Sequence, residues 1–210
     1  MDKVRITESR QVRSKTGILL DTGEQFWLST KEADAHQFYE GQVMDADEFR
    51  REIRIIQYPK ALDQAVAMLA RRACSKKEIR QNLKRNKYCE EVTDLVLYKL
   101  EKEKLVNDSD FCEQWIQYRI NAKYGRNRII QELKQKGINE ETIQDTFERL
   151  DHSEEKNNAE KLAAKLWDRR KSDEPIHKTR QRVVQSLVRK GYDWETAKEA
   201  SMKAESIINM

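Results

Sequence analysis

The side chains able to cut, transfer or coordinate are few in this chain and far apart. Cys74, Cys89 and Cys112 are odd in number and widely spaced, which fits neither a disulfide framework nor a Cys-x-x-Cys zinc site. Each lies in or beside a predicted helix and reads as a small packing residue. His36, His152 and His177 are equally scattered. No Gly-x-Gly-x-x-Gly, Walker loop, His-Glu-x-x-His or Gly-x-Ser-x-Gly motif is present. The spacing therefore offers no catalytic residue, no metal site and no cofactor site, and an enzyme is the least expected class. What remains is the chemistry of charge.

That charge is unevenly placed. Residues 71 to 87 hold eight cations, among them Arg71, Arg72, Lys76, Lys77, Arg80 and Lys84, against one carboxylate. Residues 119 to 136 hold six, Arg119, Lys123, Arg126, Arg128, Lys134 and Lys136, against Glu132. Residues 165 to 190 hold nine, with Arg180, Arg182 and Arg189 among them, against three carboxylates. The intervening stretches reverse the sign: 88 to 114 and 137 to 160 carry eight carboxylates each, against three and two cations. The net charge of +4 is too small by itself to argue for nucleic acid. Two readings stay open. Basic residues near helix carboxyl ends satisfy dipoles and keep the chain soluble; alternatively, the basic helices align into one stripe that faces phosphates or an acidic protein surface.

The elements that must position these charges are helical. Charged residues make up 37% of the 210 positions against about 25% ordinarily, and 38% are apolar. Six Gly and two Pro are too few for the turns of an all-β fold. No run approaches the roughly 18 apolar residues of a membrane span, and the start lacks the apolar core of a signal peptide, so a cytoplasmic, soluble chain with no membrane partner is expected.

The first stretch differs from the rest. Apolar runs on either side of Asp21-Thr22-Gly23-Glu24 predict a hairpin, with Val4 to Val12 as a third strand. Ser29-x-x-Glu32 and Asp45-x-x-Glu48 predict two helix starts. Gly41 is expected to close the first helix and Pro59 to end the second. Residues 1–58 thus read as a small α/β extension.

Beyond it lies a repeat. Leu83, Leu133 and Leu187 each close a segment of one design, with Ile79, Ile129 and Val183 four residues earlier on the same helix face. Ser75, Gly125 and Thr179, eight residues earlier, are favoured cap types. Lys87, Gly137 and Gly191 stand where a left-handed helix end favours glycine, and Cys89, Asn139 and Asp193 precede the next helix. An amphipathic helix leads each segment, anchored by Leu62, Val66 and Leu69, by Phe111, Trp115 and Tyr118, and by Leu162, Leu166 and Trp167. Trp115 and Trp167 read as core anchors; Trp27 and Trp194 are less clearly buried. The prediction is a mainly α chain of tandem three-helix repeats, 59–107, 108–152 and 153–210, stacked into an elongated curved array. Polar residues 151–157 connect the last two units, and 171–177 form a loop within the third.

Specific residues then resemble a known family. Arg71-Arg72-Ala-Cys-Ser75-Lys-Lys-Glu78-Ile79, Leu105-Val-Asn107-Asp108-Ser-Asp-Phe111, and Arg119, Gly125, Ile129, Leu133 and Lys136-Gly137-Ile138 resemble the RecX regulators of bacterial RecA recombinase. The resemblance spans about residues 60 to 205. Lys104, Asn107, Cys112 and Lys87 depart from the family pattern. The resemblance implies tandem three-helix repeats and a non-enzymatic inhibitor lying in the groove of the RecA filament on single-stranded DNA. There it would suppress ATP hydrolysis, strand exchange and co-protease activity in DNA repair and the SOS response. A monomer is expected, with Asp108 as helix cap and Phe111 as core anchor. A module binding single- or double-stranded DNA directly, and a general helical scaffold, stay open beside this reading.

Overall fold

A computed structural model of the chain describes residues 2–150, 153–170 and 174–208. His152 lies outside these residues, as do parts of the expected 151–157 connector and 171–177 loop. Two compact units divide the chain, Met1–Asn107 and Asp108–Met210.

The first unit opens with an antiparallel sheet: β1 (Lys3–Val12), β2 (Lys15–Leu20), β3 (Gln25–Ser29) and, after α1 (Thr30–Ala35), β4 (Val43–Asp45), in the order β3-β2-β1-β4. One sheet face is apolar by alternation. Val4, Ile6, Ile18, Leu20, Phe26 and Leu28 are buried there against Phe38, Phe49, Ile53 and Ile56. Both expected helix starts are present. Ser29 and Glu32 form a reciprocal capping box, and the Asp45 carboxylate accepts from the Asp47 and Glu48 amides.

Two expectations here need correction. Gly41 does not close α1, which ends at Ala35 with Gln37 in the left-handed conformation. Gly41 instead turns the chain into β4, a strand the sequence reading missed, and donates to the Ile6 carbonyl. Nor does Pro59 end the second helix: α2 runs unbroken from Ala46 to Leu69, so the expected division at residue 58 falls inside it. A mid-helix proline forfeits a hydrogen bond and costs about 3 kcal/mol. Packing on both sides offsets that cost, because Phe49, Ile53 and Ile56 face the sheet while Ala61 and Ala65 join the next core. Buried Gln57 ties the halves together: its Nε2 donates to the Trp27 carbonyl at 2.9 Å and its Oε1 accepts from the Cys89 amide at 2.9 Å.

The rest of the first unit is α3 (Lys76–Arg85) and α4 (Glu90–Lys102), which enclose Ile79, Leu83, Val92, Val96 and Leu100 with the end of α2. In the second unit α5 (Asp108–Asn121), α6 (Arg126–Gln135) and α7 (Glu140–Arg149) surround Phe111, Ile116, Ile129, Leu133 and Phe147. There α8 (Ser153–Trp167), α9 (Ile176–Arg189) and α10 (Trp194–Ile208) surround Trp167, Val183, Leu187, Tyr192 and Ala197. The three aligned leucines are fully buried.

The middle helices share one ending. Lys87, Gly137 and Gly191 all have positive φ, 72°, 85° and 98°. Behind each, the amides of Tyr88, Ile138 and Tyr192 reach back to the carbonyls of Leu83, Leu133 and Leu187. These are Schellman closures. Their starts differ. Ser75 caps α3 with a full capping box and Gly125 precedes α6 without a side-chain bond. Thr179 is not a cap: α9 begins a turn earlier, after Pro175, which leaves Thr179 buried within the helix. The fixed φ of proline suits a helix entrance.

Candidate interaction surface

In the first unit, half of the expected cations already hold a carboxylate of their own unit. Arg72 pairs with Glu78, Lys76 with Glu101, and Arg80 with Asp94 at 2.6 Å and Glu90 at 3.8 Å. The acidic α4 therefore pairs with two cations of α3, so basic and acidic segments meet within a unit. Among the described residues Arg71, Lys77 and Lys84 are exposed and make no ion pair.

The second unit repeats this in part. Arg180 forms a bidentate pair with Glu205 at 2.7 and 2.8 Å, and Arg182 one with Glu174. The hydrogen bonds from Arg180 and Arg182 hold both carboxyls below the usual range. Lys136 lies over the Trp115 ring at 4.1 Å, and Arg126 over the Phe147 ring at 4.6 Å. Lys123 and Arg189 are exposed.

A denser arrangement surrounds Tyr124, just before α6. Arg119, Arg128 and Lys190 sit 3.9, 4.4 and 5.0 Å from its ring centre. Cations favour the negative face of an aromatic ring but repel one another. One carboxylate holds the two arginines: Glu132 accepts from Arg119, from Arg128 at 3.2 Å and from the Trp115 indole at 3.2 Å. Burial opposes ionisation of Glu132, yet these hydrogen bonds outweigh it and hold the carboxyl below its ordinary value. Arg119 is thus mostly enclosed in the unit, with a side chain only 15% exposed.

Local backbone hydrogen bonds fix this cluster. The Gly125 amide donates to the Lys190 carbonyl at 3.0 Å and the Asn127 amide to the Gly191 carbonyl at 2.9 Å. The carboxyl end of α9 therefore meets the amino end of α6 with opposed partial charges in contact. Glu155 of α8 accepts from the Arg126 amide at 2.7 Å and completes the cap. Beside this junction a groove of about 380 Å³ is lined by α6 and by Val188 and Arg189 of α9. Tyr124, Lys190 and the groove's amides escaped the sequence reading. The available signal was the spacing of Asn127, Gln131 and Gln135 on one helix face.

The cysteines carry no comparable arrangement. Burial pushes the thiols of Cys89 and Cys112 up, away from the reactive thiolate. Among the described residues no group of acids, histidines and cysteines could hold a metal ion.

Three family models match in sequence order. Residues 61–100 match the first RecX three-helix domain, 107–146 the second and 154–200 the third. The chain belongs to the RecX family. A RecX regulatory protein of Clostridioides difficile is 33% identical over 147 residues, covering 70% of this chain and 68% of that protein. One from Listeria welshimeri is 27% identical over 206 residues, 98% of this chain and 76% of its own length. A crystal structure of a regulatory protein RecX superposes with a TM-score of 0.63 at 25% identity, over 92% of this chain and 96% of that one. That of Lactobacillus salivarius RecX shares the fold, with a TM-score of 0.65 at 21% identity over 70% and 96%. The mainly helical, three-repeat architecture with its small leading sheet is that of RecX proteins.

Proposed function

We propose that this chain is a non-enzymatic inhibitor of the RecA recombinase. It binds in the groove of the RecA filament on single-stranded DNA and suppresses ATP hydrolysis, strand exchange and co-protease activity in DNA repair and the SOS response. The observation that carries this reading is the run of three RecX domains over residues 61–200. The surface chemistry supports it. Two of the middle helices offer cations facing water without a carboxylate of their own, Lys77 and Lys84 on α3 and Arg189 on α9, suited to acidic protein surface or phosphate. The chain acts as a monomer in the cytoplasm and needs no cofactor. Among the described residues no helix is long and apolar enough to cross a membrane.

The test is ATP hydrolysis by a matched recombinase on single-stranded DNA, with and without this protein. Suppression at substoichiometric amounts supports the reading. Unchanged hydrolysis at saturating protein rejects it.

A further inference from the structure

We infer that the solvent face of α2 and α4 in the first unit is a self-association surface, on which two copies of this chain pair weakly through antiparallel α4 helices. Pairing of this kind needs neither recombinase nor DNA. The first observation is an apolar face that the unit's own core does not use. On α4 that core is built by Val92, Val96, Leu97 and Leu100, all buried. Leu95 and Tyr98 lie on the opposite face, 41% and 64% exposed, and Ile55 of α2 is 59% exposed. With half-buried Tyr58 they line a groove of about 420 Å³ between the two helices. A single apolar residue at a surface is ordinary, whereas four that share one groove mark an interaction site.

The order of charges along α4 then names the occupant. Its exposed stripe is Glu91, Asp94, Leu95, Tyr98, Lys99 and Lys102, acidic at the amino end and basic at the carboxyl end. Positions 91 and 102, 94 and 99, and 95 and 98 are symmetric about one point midway along the stripe. Two antiparallel α4 helices crossing at that point set Leu95 on Tyr98 of the second copy, Glu91 on its Lys102 and Asp94 on its Lys99. Every contact is made twice, as an isologous pair requires. A parallel arrangement would oppose Glu91 to Glu91 and Lys102 to Lys102. A uniformly acidic helix from another protein would meet Glu91 and Asp94 with like charge.

Three of these four charges are already held in place within the chain: Glu91 by Arg54, Asp94 by Arg80 at 2.6 Å and Lys99 by Glu103 at 2.8 Å. Lys102 makes no ion pair among the described residues, and Glu91 of the second copy gives it one. At about 1.5 Å per residue the stripe runs about 16 Å. Two such helices and one flanking groove bury less than the roughly 1,600 Å² of a standard interface. The pairing is therefore reversible and leaves the monomer as the acting form.

The experiment is sedimentation equilibrium of the full chain alone over a range of concentrations, where the mean mass should rise toward that of two copies. Tyr98→Glu should weaken pairing at least about thirtyfold, because it places charge at the apolar centre. Lys102→Glu and Glu91→Lys should each weaken it about tenfold, since two attractions become two repulsions. An equimolar mixture of those two proteins should pair within about twofold of the parent, because opposite charges then meet at both ends. All three positions are exposed, and circular dichroism checks folding. Should Glu91→Lys disturb the start of α4, Tyr98→Glu and Lys102→Glu keep the test decisive. A parent that stays monomeric up to about 1 mM overturns the inference. So does pairing of the Tyr98→Glu and Lys102→Glu proteins within about twofold of the parent, or a mixture of folded variants that pairs no more tightly than either alone.

Discussion

Two guanidiniums and an indole converge on Glu132 in the second unit. Its carboxyl titrates below the ordinary value of 4.5, so its stabilisation is complete above that pH and is lost as pH falls through the lowered value. Glu132→Gln should cost about 2 to 3 kcal/mol at neutral pH, read by urea titration, and the gap to the parent should close in acid. A gap constant with pH contradicts this account of Glu132. A second residue-scale test concerns Lys87, which takes a left-handed φ of 72°. Lys87→Gly should stabilise by up to about 1 kcal/mol, since glycine adopts that region without strain; a midpoint below the parent's would contradict it. The sequence exposed this position as the odd member of an aligned trio. It could not show that Arg119 turns inward, because a guanidinium seated between a tyrosine ring and a carboxylate follows from tertiary packing.

Helices and their junctions were legible where periodicity and caps agreed. The burial of Leu83, Leu133 and Leu187 and the closures behind them follow directly from residue spacing. Leu133→Ala should cost about 2 to 5 kcal/mol in denaturant titration, and a loss below about 1 kcal/mol would contradict its place at the centre of the core. The misreadings were of a breaker and a cap. Pro59 resembles a helix stop locally yet lies within a helix packed on two cores, and Thr179 resembles a cap yet stands inside α9, which begins after Pro175. Gly125 was legible as a cap type, but not for its main reason. Its φ of −83° suits any residue, whereas a Cβ there would lie 2.2 Å from the Tyr192 nitrogen and 2.4 Å from the Gly191 carbonyl carbon. Gly125→Ala should therefore cost about 2 kcal/mol or more, because two backbones must part. Hydrogen exchange should show lost protection at Asn127 while the Leu133 amide stays protected. Unchanged protection at Asn127 would contradict the junction.

At the scale of the molecule, the alternation of charge sign along the chain was visible at once, and its meaning was not. Much of it is internal: Arg80 with Asp94 and Arg180 with Glu205 pair a middle helix with the one that follows. The cations free to meet a partner are fewer than the composition suggests, and Lys77, Lys84 and Arg189 are the ones that reversal should test. Charge reversal at Arg126 and Arg128 would report binding less cleanly. Arg126 packs on Phe147, and a carboxylate at position 128 would face Glu132. The most direct measurement is steady-state ATP hydrolysis by a matched RecA recombinase on single-stranded DNA, with the parent protein and with Lys77→Glu, Lys84→Glu and Arg189→Glu combined. The account predicts that the parent suppresses hydrolysis and that the triple variant, with helicity intact by circular dichroism, loses most of that suppression. Hydrolysis unaffected by the parent would contradict recombinase inhibition, and equal suppression by parent and variant would contradict its basic surface.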